Sequence, residues 1–411
     1  MQHMRFHLIS IYVCALALLS LTSCRDEEPS PRLPDTGLPG VTMLHDLIIY
    51  MSGENSLSTY VAGDSLEIAK GMAEVDDSCR VLVLIDDAKS SRLCVGTRTT
   101  PLQTVRTYPG NLTMTDSATM QTLLADIIST YPARSYGLVL WSHDTGWVFQ
   151  GQAQKVRRRT FGVDSGKRGS ADNTGLQMNI PTLRHVLEQM PHFDYIFFDA
   201  CFMQCIEVAY ELRHVTDYIL ASPAEIPGHG APYHLLLKHL FASPAELQQA
   251  MEAYVDYYET GPGCFKYNGA ELSLIRTDAL ETLAARTRPL VQTLFAGKAV
   301  VDCRKVQSFA PSTRKMSFTL CYDMRNLFIQ NIPAEDFAVW DQAFAAAVPC
   351  SRLSPYWTTA AFEYAMHVAD PESCGGVTMF VPDNDFELNG WCADYHNLEW
   401  YSAVGMDQTG W

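Results

Sequence analysis

Positive charge is scarce in this sequence. Across 411 residues, 30 Lys and Arg stand against 46 Asp and Glu, a formal net charge of −16. A surface of that sign argues against nucleic acid and against an anionic membrane face as partners, and it suits cationic substrates. Long apolar runs are missing too. The run from Ile9 to Leu21 falls short of the roughly 18–20 residues that cross a bilayer. The 12 cysteines are scattered, and the Cys201/Cys205 pair has no matching second pair, which argues against a structural zinc site. No EF-hand-like loop is present. No Gly-x-Ser-x-Gly elbow follows a strand, which sets a serine hydrolase aside. Low-complexity tracts and internal repeats are absent as well.

What remains is an ordinary globular composition, 47% apolar and 18% charged, with enough apolar mass for a substantial core. Residues 1–23 read as a targeting segment, with Arg5 ahead of the apolar run. The segment ends in Leu21-Thr22-Ser23-Cys24, which resembles a bacterial lipobox and implies cleavage before Cys24 and lipidation of its thiol and new amino group. Arg25-Asp26-Glu27-Glu28 is similar to the surface-export signal of Bacteroidetes lipoproteins. Together these imply an outer-membrane lipoprotein of a Gram-negative bacterium, exposed at the cell surface and touching the membrane only through its lipid. Pro29, Pro31, Pro34 and Pro39, with Gly37 and Gly40, make residues 24–42 a stiff tether.

From residue 43 the pattern changes to short apolar runs alternating with helical stretches. His45–Met51, Arg80–Asp86, Tyr136–Trp141, Tyr195–Asp199 and Tyr218–Ala221 read as strands. Leu57–Met72, Met114–Tyr131, Ile180–Met190 and Ile206–Arg213 read as helices between them. Continuous apolar strands separated by helices predict an α/β fold with a mostly parallel sheet covered on both faces. A core over 43–235 is expected, followed by a helix-rich region over 236–411 that extends the sheet. In the second region helices are predicted at Pro244–Tyr258, with Ser243 as cap, at Ala279–Leu294 and at Ala334–Ala346, and strands at Met316–Leu320 and Gly376–Val381.

In parallel sheets chemistry gathers at the carboxyl ends of the strands. The polar residues there are Asp86-Asp87, Ser142-His143-Asp144, Asp199-Ala200-Cys201 and Ser222. A thiol opening a helix would feel the positive end of the helix dipole, which favours the thiolate. A histidine on a neighbouring strand end could take its proton. Taken singly, each has a plainer reading: a cysteine after an apolar strand as a small buried packer, and a histidine as an ordinary loop residue.

Trp141–Trp147 and Phe198–Glu207 resemble the histidine and cysteine motifs of the clostripain family of cysteine peptidases, relatives of caspases and gingipains. Ile48–Asn55 is similar to that family's first strand and turn, and Ala221–Gly230, Tyr322-Asp323 and Gly375–Pro382 to later motifs. The resemblance spans about residues 43 to 411 and implies a caspase-like fold and a cysteine endopeptidase cleaving after Arg, with Lys as a second choice. It implies Cys201 as nucleophile and His143 as base, with the backbone N–H groups of Cys201 and Asp144 as oxyanion donors. It places Asp199 in the pocket for a basic side chain, where a partly buried carboxylate can pair with a guanidinium; the alternative is a carboxylate capping the next helix. Ser222 and Glu225 would line the same pocket. Glycine is usual in the family where this chain has Asp144, a change that adds negative charge beside the thiolate and raises the question of a backbone angle suited to glycine.

Members that cut after basic residues are made as precursors that cleave themselves between histidine and cysteine. Here that loop carries Lys155, Arg157, Arg158 and Arg159. Some members require calcium, and Asp86, Asp87 and Asp164 are available carboxylates, although the residues by themselves specify no metal or other cofactor. The competing readings are a non-enzymatic surface binding protein on the same fold and an acyl-transfer enzyme acting on small amides.

Overall fold

The computed structural model describes residues 39–148, 160–169, 175–241, 244–262, 269–309, 321–358, 365–368 and 370–411. The chain divides by contacts into residues 1–35 and a unit spanning Thr36–Trp411. Within the larger unit the strands run in chain order as β1 (Met43–Ser52), β2 (Cys79–Asp86), β3 (Ser91–Gly96), β4 (Gln103–Tyr108), β5 (Ala133–Trp141), β6 (Phe161–Asp164), β7 (Leu176–Met178), β8 (Phe193–Asp199), β9 (Thr216–Ala221), β10 (Glu271–Arg276), β11 (Cys321–Asp323) and β12 (Cys350–Leu353). One nine-stranded sheet has the order β12-β10-β9-β8-β5-β1-β2-β3-β4. Its centre, β9-β8-β5-β1-β2, is parallel. Both margins are antiparallel: β3 and β4 beyond β2, and β10 and β12 beyond β9.

The five central strands are those expected from the sequence, each lengthened slightly at its start. β1 and β2 are almost wholly buried because helices cover both faces. Alternate residues feed two cores. Ile48, Tyr50, Leu138, Leu140, Ile196 and Phe198 face one, packed by Ser117–Thr130, Ile180–Leu187 and Ile206–Leu212. Ile49, Met51, Val139, Trp141, Tyr195 and Phe197 face the other, packed by Val61–Gly71, Tyr233–Leu236 and Pro244–Glu259.

The expected helix over Met114–Tyr131 is observed at Ser117–Thr130, where the Asp116 carboxylate accepts the Thr119 N–H at 2.9 Å as an N-cap. The region after 236 extends the sheet with β10 and β12, and its helices fall at Pro244–Glu259, Leu280–Leu294 and Ala334–Ala347. The strand expected at Met316–Leu320 and the cap expected at Ser243 lie outside the described residues. β11 follows immediately and pairs antiparallel with Thr378–Phe380. No helix among the described residues is long and apolar enough to cross a membrane.

At the base of the sheet a fully buried ion pair joins the neighbouring strands β1 and β2. Arg80 donates to Asp46 Oδ2 from Nη2 at 2.6 Å and from Nε at 3.2 Å. It also donates to the Val41 and Pro132 carbonyls and stacks over Tyr131. Removing one partner leaves an uncompensated buried charge, whereas removing both does not. Arg80→Met is therefore expected to lower unfolding stability by about 3–5 kcal/mol, and Arg80→Met with Asp46→Leu should recover more than half of that loss. Urea unfolding of the two variants checks this.

Candidate active site

The parallel pairing of β5 with β8 sets Trp141 opposite Asp199. His143 and Cys201 each lie two residues beyond that pair, so the shared register delivers both to the same level at the carboxyl end of the sheet. Their loops touch. Gly146 has φ +76°, and a Cβ there would meet Phe202 O at 3.2 Å and Cys205 Sγ at 3.3 Å, a close approach at a left-handed angle that favours glycine. Cys205 is accordingly a packing thiol, consistent with its burial.

Cys201 does not open a helix as expected. Cys201–Gln204 form an irregular turn, and the helix starts at Ile206 with Cys205 at its N-cap position. Long-range backbone bonds override local helix propensity here. Phe202 N–H donates to Ala224 O and Gln204 N–H to Ser222 O, both at 2.9 Å, while Thr378 N–H donates to Gln204 O at 3.0 Å. Phe202 is held at φ +61°, a left-handed conformation that a bulky residue adopts only when its surroundings impose it. The thiol thus lacks the helix end proposed for it. A backbone amide faces it instead: Ile226 N–H points at Cys201 Sγ at 3.4 Å.

His143 is held by a residue the sequence reading passed over. Ser56 Oγ lies 2.8 Å from His143 Nε2. Ser56 opens a short turn, Ser56–Thr59, directly after β1, where Asn55 caps by accepting the Leu57 N–H. The neighbours of His143 serve the scaffold. Ser142 Oγ donates to Ser52 O at 2.8 Å and accepts from Val163 N–H. Asp144 is buried and accepts the Gly162 N–H at 2.5 Å, fastening β6 to the histidine loop. Asp144 is not among the positive-φ residues, so its backbone does not ask for glycine.

Asp199 is buried on the second face of the sheet. Its Oδ2 accepts from Ala231 N–H at 3.0 Å and from Tyr233 O–H at 2.8 Å, while Oδ1 is buried without a hydrogen-bond partner. Burial pushes its carboxyl up to about 6, against the pull of those two donors. It does not cap the helix beginning at Ile206, the alternative reading of its carboxylate. Gly230 closes over it, since a Cβ there would stand 2.8 Å from Oδ2. Tyr254 is buried alongside, its hydroxyl raised by burial first and then by the charges of Asp199, Tyr258 and Cys201. Asp64 joins this face, pushed up to about 8 by burial and by Asp199 and Glu67. Ser222 is buried with its hydroxyl spent on the Ala224 backbone, whereas Glu225 is half-buried next to Ile226.

Of the three carboxylates weighed for calcium, Asp86 and Asp164 come together and Asp87 does not. Asp87 accepts from Arg92 at 2.9 Å and from the Lys89 and Ser90 amides, contacts that outweigh its burial and hold its carboxyl below the usual range. Glu54 takes the third place, and one oxygen from each of Glu54, Asp86 and Asp164 lies within 4.8 Å of the others. Glu54 lies within the first motif but has no periodic signal that would single it out. Cys24 and the basic residues Arg157, Arg158 and Arg159 lie outside the described residues.

Against known proteins, the model of the Clostripain family matches residues 49–411. Among solved structures, a secreted C11 cysteine protease from Bacteroides thetaiotaomicron, bound to an irreversible peptide inhibitor, is 29% identical with a TM-score of 0.73, over 89% of this chain and 99% of that one. An inactive zymogen C11 protease from Parabacteroides distasonis is 27% identical at the same TM-score and coverage. A third, the Bacteroides thetaiotaomicron protease iotapain, is 18% identical with a TM-score of 0.70 over 89% of this chain, and supports the fold alone. No curated protein matches the chain.

None of the nine described cysteines is in a disulfide. Burial raises Cys79, Cys350 and Cys392 to about 11 and Cys303 to about 12, and lifts Cys205, Cys321 and Cys374 higher still. Since the thiolate is the reactive form, iodoacetamide at neutral pH is expected to modify Cys201 first among them, and Ser56→Ala to slow that modification about 10-fold, the equivalent of one lost hydrogen bond of ~1.4 kcal/mol. Peptide mass mapping over time checks both.

Proposed function

Because the chain belongs to the clostripain family of cysteine peptidases, we propose that it is an endopeptidase cleaving after arginine, and less readily after lysine, with Cys201 as nucleophile and His143 as base. In this reading His143 takes the proton of the Cys201 thiol, and the thiolate attacks the scissile carbonyl carbon. The backbone N–H groups of Cys201 and Asp144 hold the developing oxyanion. Collapse of the tetrahedral intermediate breaks the C–N bond, and the amine leaves with the proton carried by His143. Water, deprotonated by the same ring, then hydrolyses the thioester and restores the thiol. With Nε2 anchored on Ser56, Nδ1 is the nitrogen assigned to the thiol.

The observation that carries the specificity is Asp199. A fully buried carboxylate with one oxygen unpartnered is costly unless a cation completes it. The guanidinium of an arginine substrate would do so with a charge-assisted hydrogen bond. Glu225, next in sequence to Ile226, whose amide faces Cys201, would line the same pocket in this reading.

A precursor cut in the loop that holds Arg157, Arg158 and Arg159 accords with this specificity, and with the description of the Parabacteroides relative as a zymogen. Surface anchoring through Cys24 accords with the relative described as secreted. Cys24→Ala is expected to move the protein from the membrane fraction to the soluble fraction, as read by fractionation and immunoblot; unchanged membrane retention would remove the anchor.

Fluorogenic peptides ending in Arg, Lys, Leu or Asp test the rest. Arg is expected to be cleaved fastest, no peptide should turn over with Cys201→Ala, and Asp199→Asn should lose at least 100-fold in kcat/KM on Arg. Turnover of Leu or Asp peptides alone would sink the role of Asp199. The pH dependence follows from the raised carboxyl. Only ionised Asp199 attracts a cation, so KM for Arg peptides should rise as pH falls through about 6. Tyr233→Phe removes a donor to the ionised form, so the same rise should begin at higher pH.

A further inference from the structure

The pocket given to Asp199 has a second acid beside it that belongs to none of the sequence motifs. The helix Val61–Gly71 buries Val61, Asp64, Ile68 and Gly71. Steps of three and four residues mark one inward face of a helix, and Val61 and Ile68 are part of the core on the second side of the sheet. Asp64 therefore stands where the helix asks for an apolar residue. An acid in a first turn ordinarily serves the helix dipole from the surface. This one is buried, and its Oδ2 has no hydrogen-bond partner.

The surroundings of Asp64 are those of Asp199. The helix lies tight against Tyr233–Leu236, since a Cβ on Gly71 would stand 2.8 Å from Tyr233 O. Tyr233 is the residue whose hydroxyl donates to Asp199, at 2.8 Å. Burial first, and then the charges of Asp199 and Glu67, push the Asp64 carboxyl up to about 8, against a side-chain hydrogen bond from Trp141. Trp141 is the register partner of Asp199 across β5 and β8. Tyr254 joins them: its hydroxyl is buried without a partner, and after burial it feels Asp199, Tyr258, Cys201 and Asp64 in turn. That puts the group within electrostatic reach of the Cys201 thiol.

Three buried polar atoms without partners, Asp64 Oδ2, Asp199 Oδ1 and Tyr254 Oη, thus gather on one face of the sheet. No cation among the described residues pairs with either carboxylate. Such groups are costly to bury unless something completes them. An ammonium is a compact point charge that one carboxylate can satisfy. A guanidinium is a planar fork of five donors and gains from acceptors on more than one edge. Glu67, one turn beyond Asp64, is not that acceptor, because it is partly exposed and faces His234 Nδ1 at 3.1 Å. We propose that Asp64 is a second specificity-determining residue of the substrate pocket, taking one edge of an arginine guanidinium while Asp199 takes another, and that the pair selects arginine over lysine. The proposal rests on the reading of Asp199 as receptor of the substrate cation and adds a residue to it.

Binding to the full chain carrying Cys201→Ala tests this without turnover or self-cleavage. The probes are two peptides that differ only in a single Arg or Lys, titrated by calorimetry. The parent should bind the Arg peptide about 10-fold more tightly, the equivalent of one charge-assisted hydrogen bond. Adding Asp64→Asn should remove that preference by weakening the Arg peptide alone, whereas adding Asp199→Asn should weaken both. Tyr254→Phe should also weaken the Arg peptide alone, and it stands in where Asp64→Asn does not fold. Neutralising a buried charge that has no protein partner relieves its desolvation, so Asp64→Asn should keep or raise Tm. Equal binding of the two peptides by the parent, or an Arg preference unchanged in both Asp64→Asn and Tyr254→Phe, would overturn the role of Asp64 and leave that of Asp199 standing. Equal weakening of both peptides by Asp64→Asn, with a fall in Tm, would make Asp64 part of the scaffold and overturn the proposal too. No binding of either peptide, or no effect of Asp199→Asn, would overturn the reading of the pocket itself and the proposal with it.

Discussion

The parallel pairing of β5 with β8 is the constraint on which the site depends. Once Trp141 and Asp199 lie opposite each other, the next residues of both strands leave the sheet at one level. A shift of one residue would turn every side chain of one strand to the other face. It would also carry Asp199 out of its contacts with Ala231 and Tyr233. The two cores hold this register, because Phe198 and Leu140 face one helical layer and Phe197 and Val139 face the other. Catalytic geometry in this fold is therefore a by-product of apolar alternation, and the polar residues need only occupy the strand ends.

Electrostatic cost is distributed over both faces of the sheet. Asp199 lies on one, and Glu54, Asp86 and Asp164 on the other, and burial raises the carboxyl of each. A protein that needed only stability would fill such positions with apolar groups, since buried charge is weak evidence for stability. Each cluster instead keeps at least one oxygen without a partner. On the Asp199 face the arrangement suits the proposed cationic side chain of a substrate. Unpaired negative charge at these sites also agrees with the scarcity of basic residues in the sequence.

Much of this was legible in the sequence, for a physical reason. Continuous apolar strands have a strong local signature, and the five that form the parallel centre were recovered from it, along with His143 and Cys201 at their ends. β3 and β4 were missed because they sit at a margin; Gln103–Tyr108 alternates polar and apolar residues weakly and lies largely exposed. The helix expected at Cys201 begins instead at Ile206, because the intervening turn is fixed by bonds to Ala224, Ser222 and Thr378, all far away in sequence. Ser56 and Glu54 carry no periodicity, and only the fold brings them to His143 and to the two aspartates. The Ile226 amide could not be read at all, since a backbone donor leaves no trace in residue identity. Asp144, a departure from the family pattern, turns out to have a structural task on Gly162.

The most direct measurement of the central claim is covalent. The chain would be incubated with an arginyl chloromethyl ketone and the adduct located by fragment mass spectrometry. The account predicts one adduct, on Cys201, formed much more slowly in the Asp199→Asn variant and competed by arginine peptides. An adduct on another cysteine, or labelling at the same rate without the Asp199 carboxylate, would contradict it.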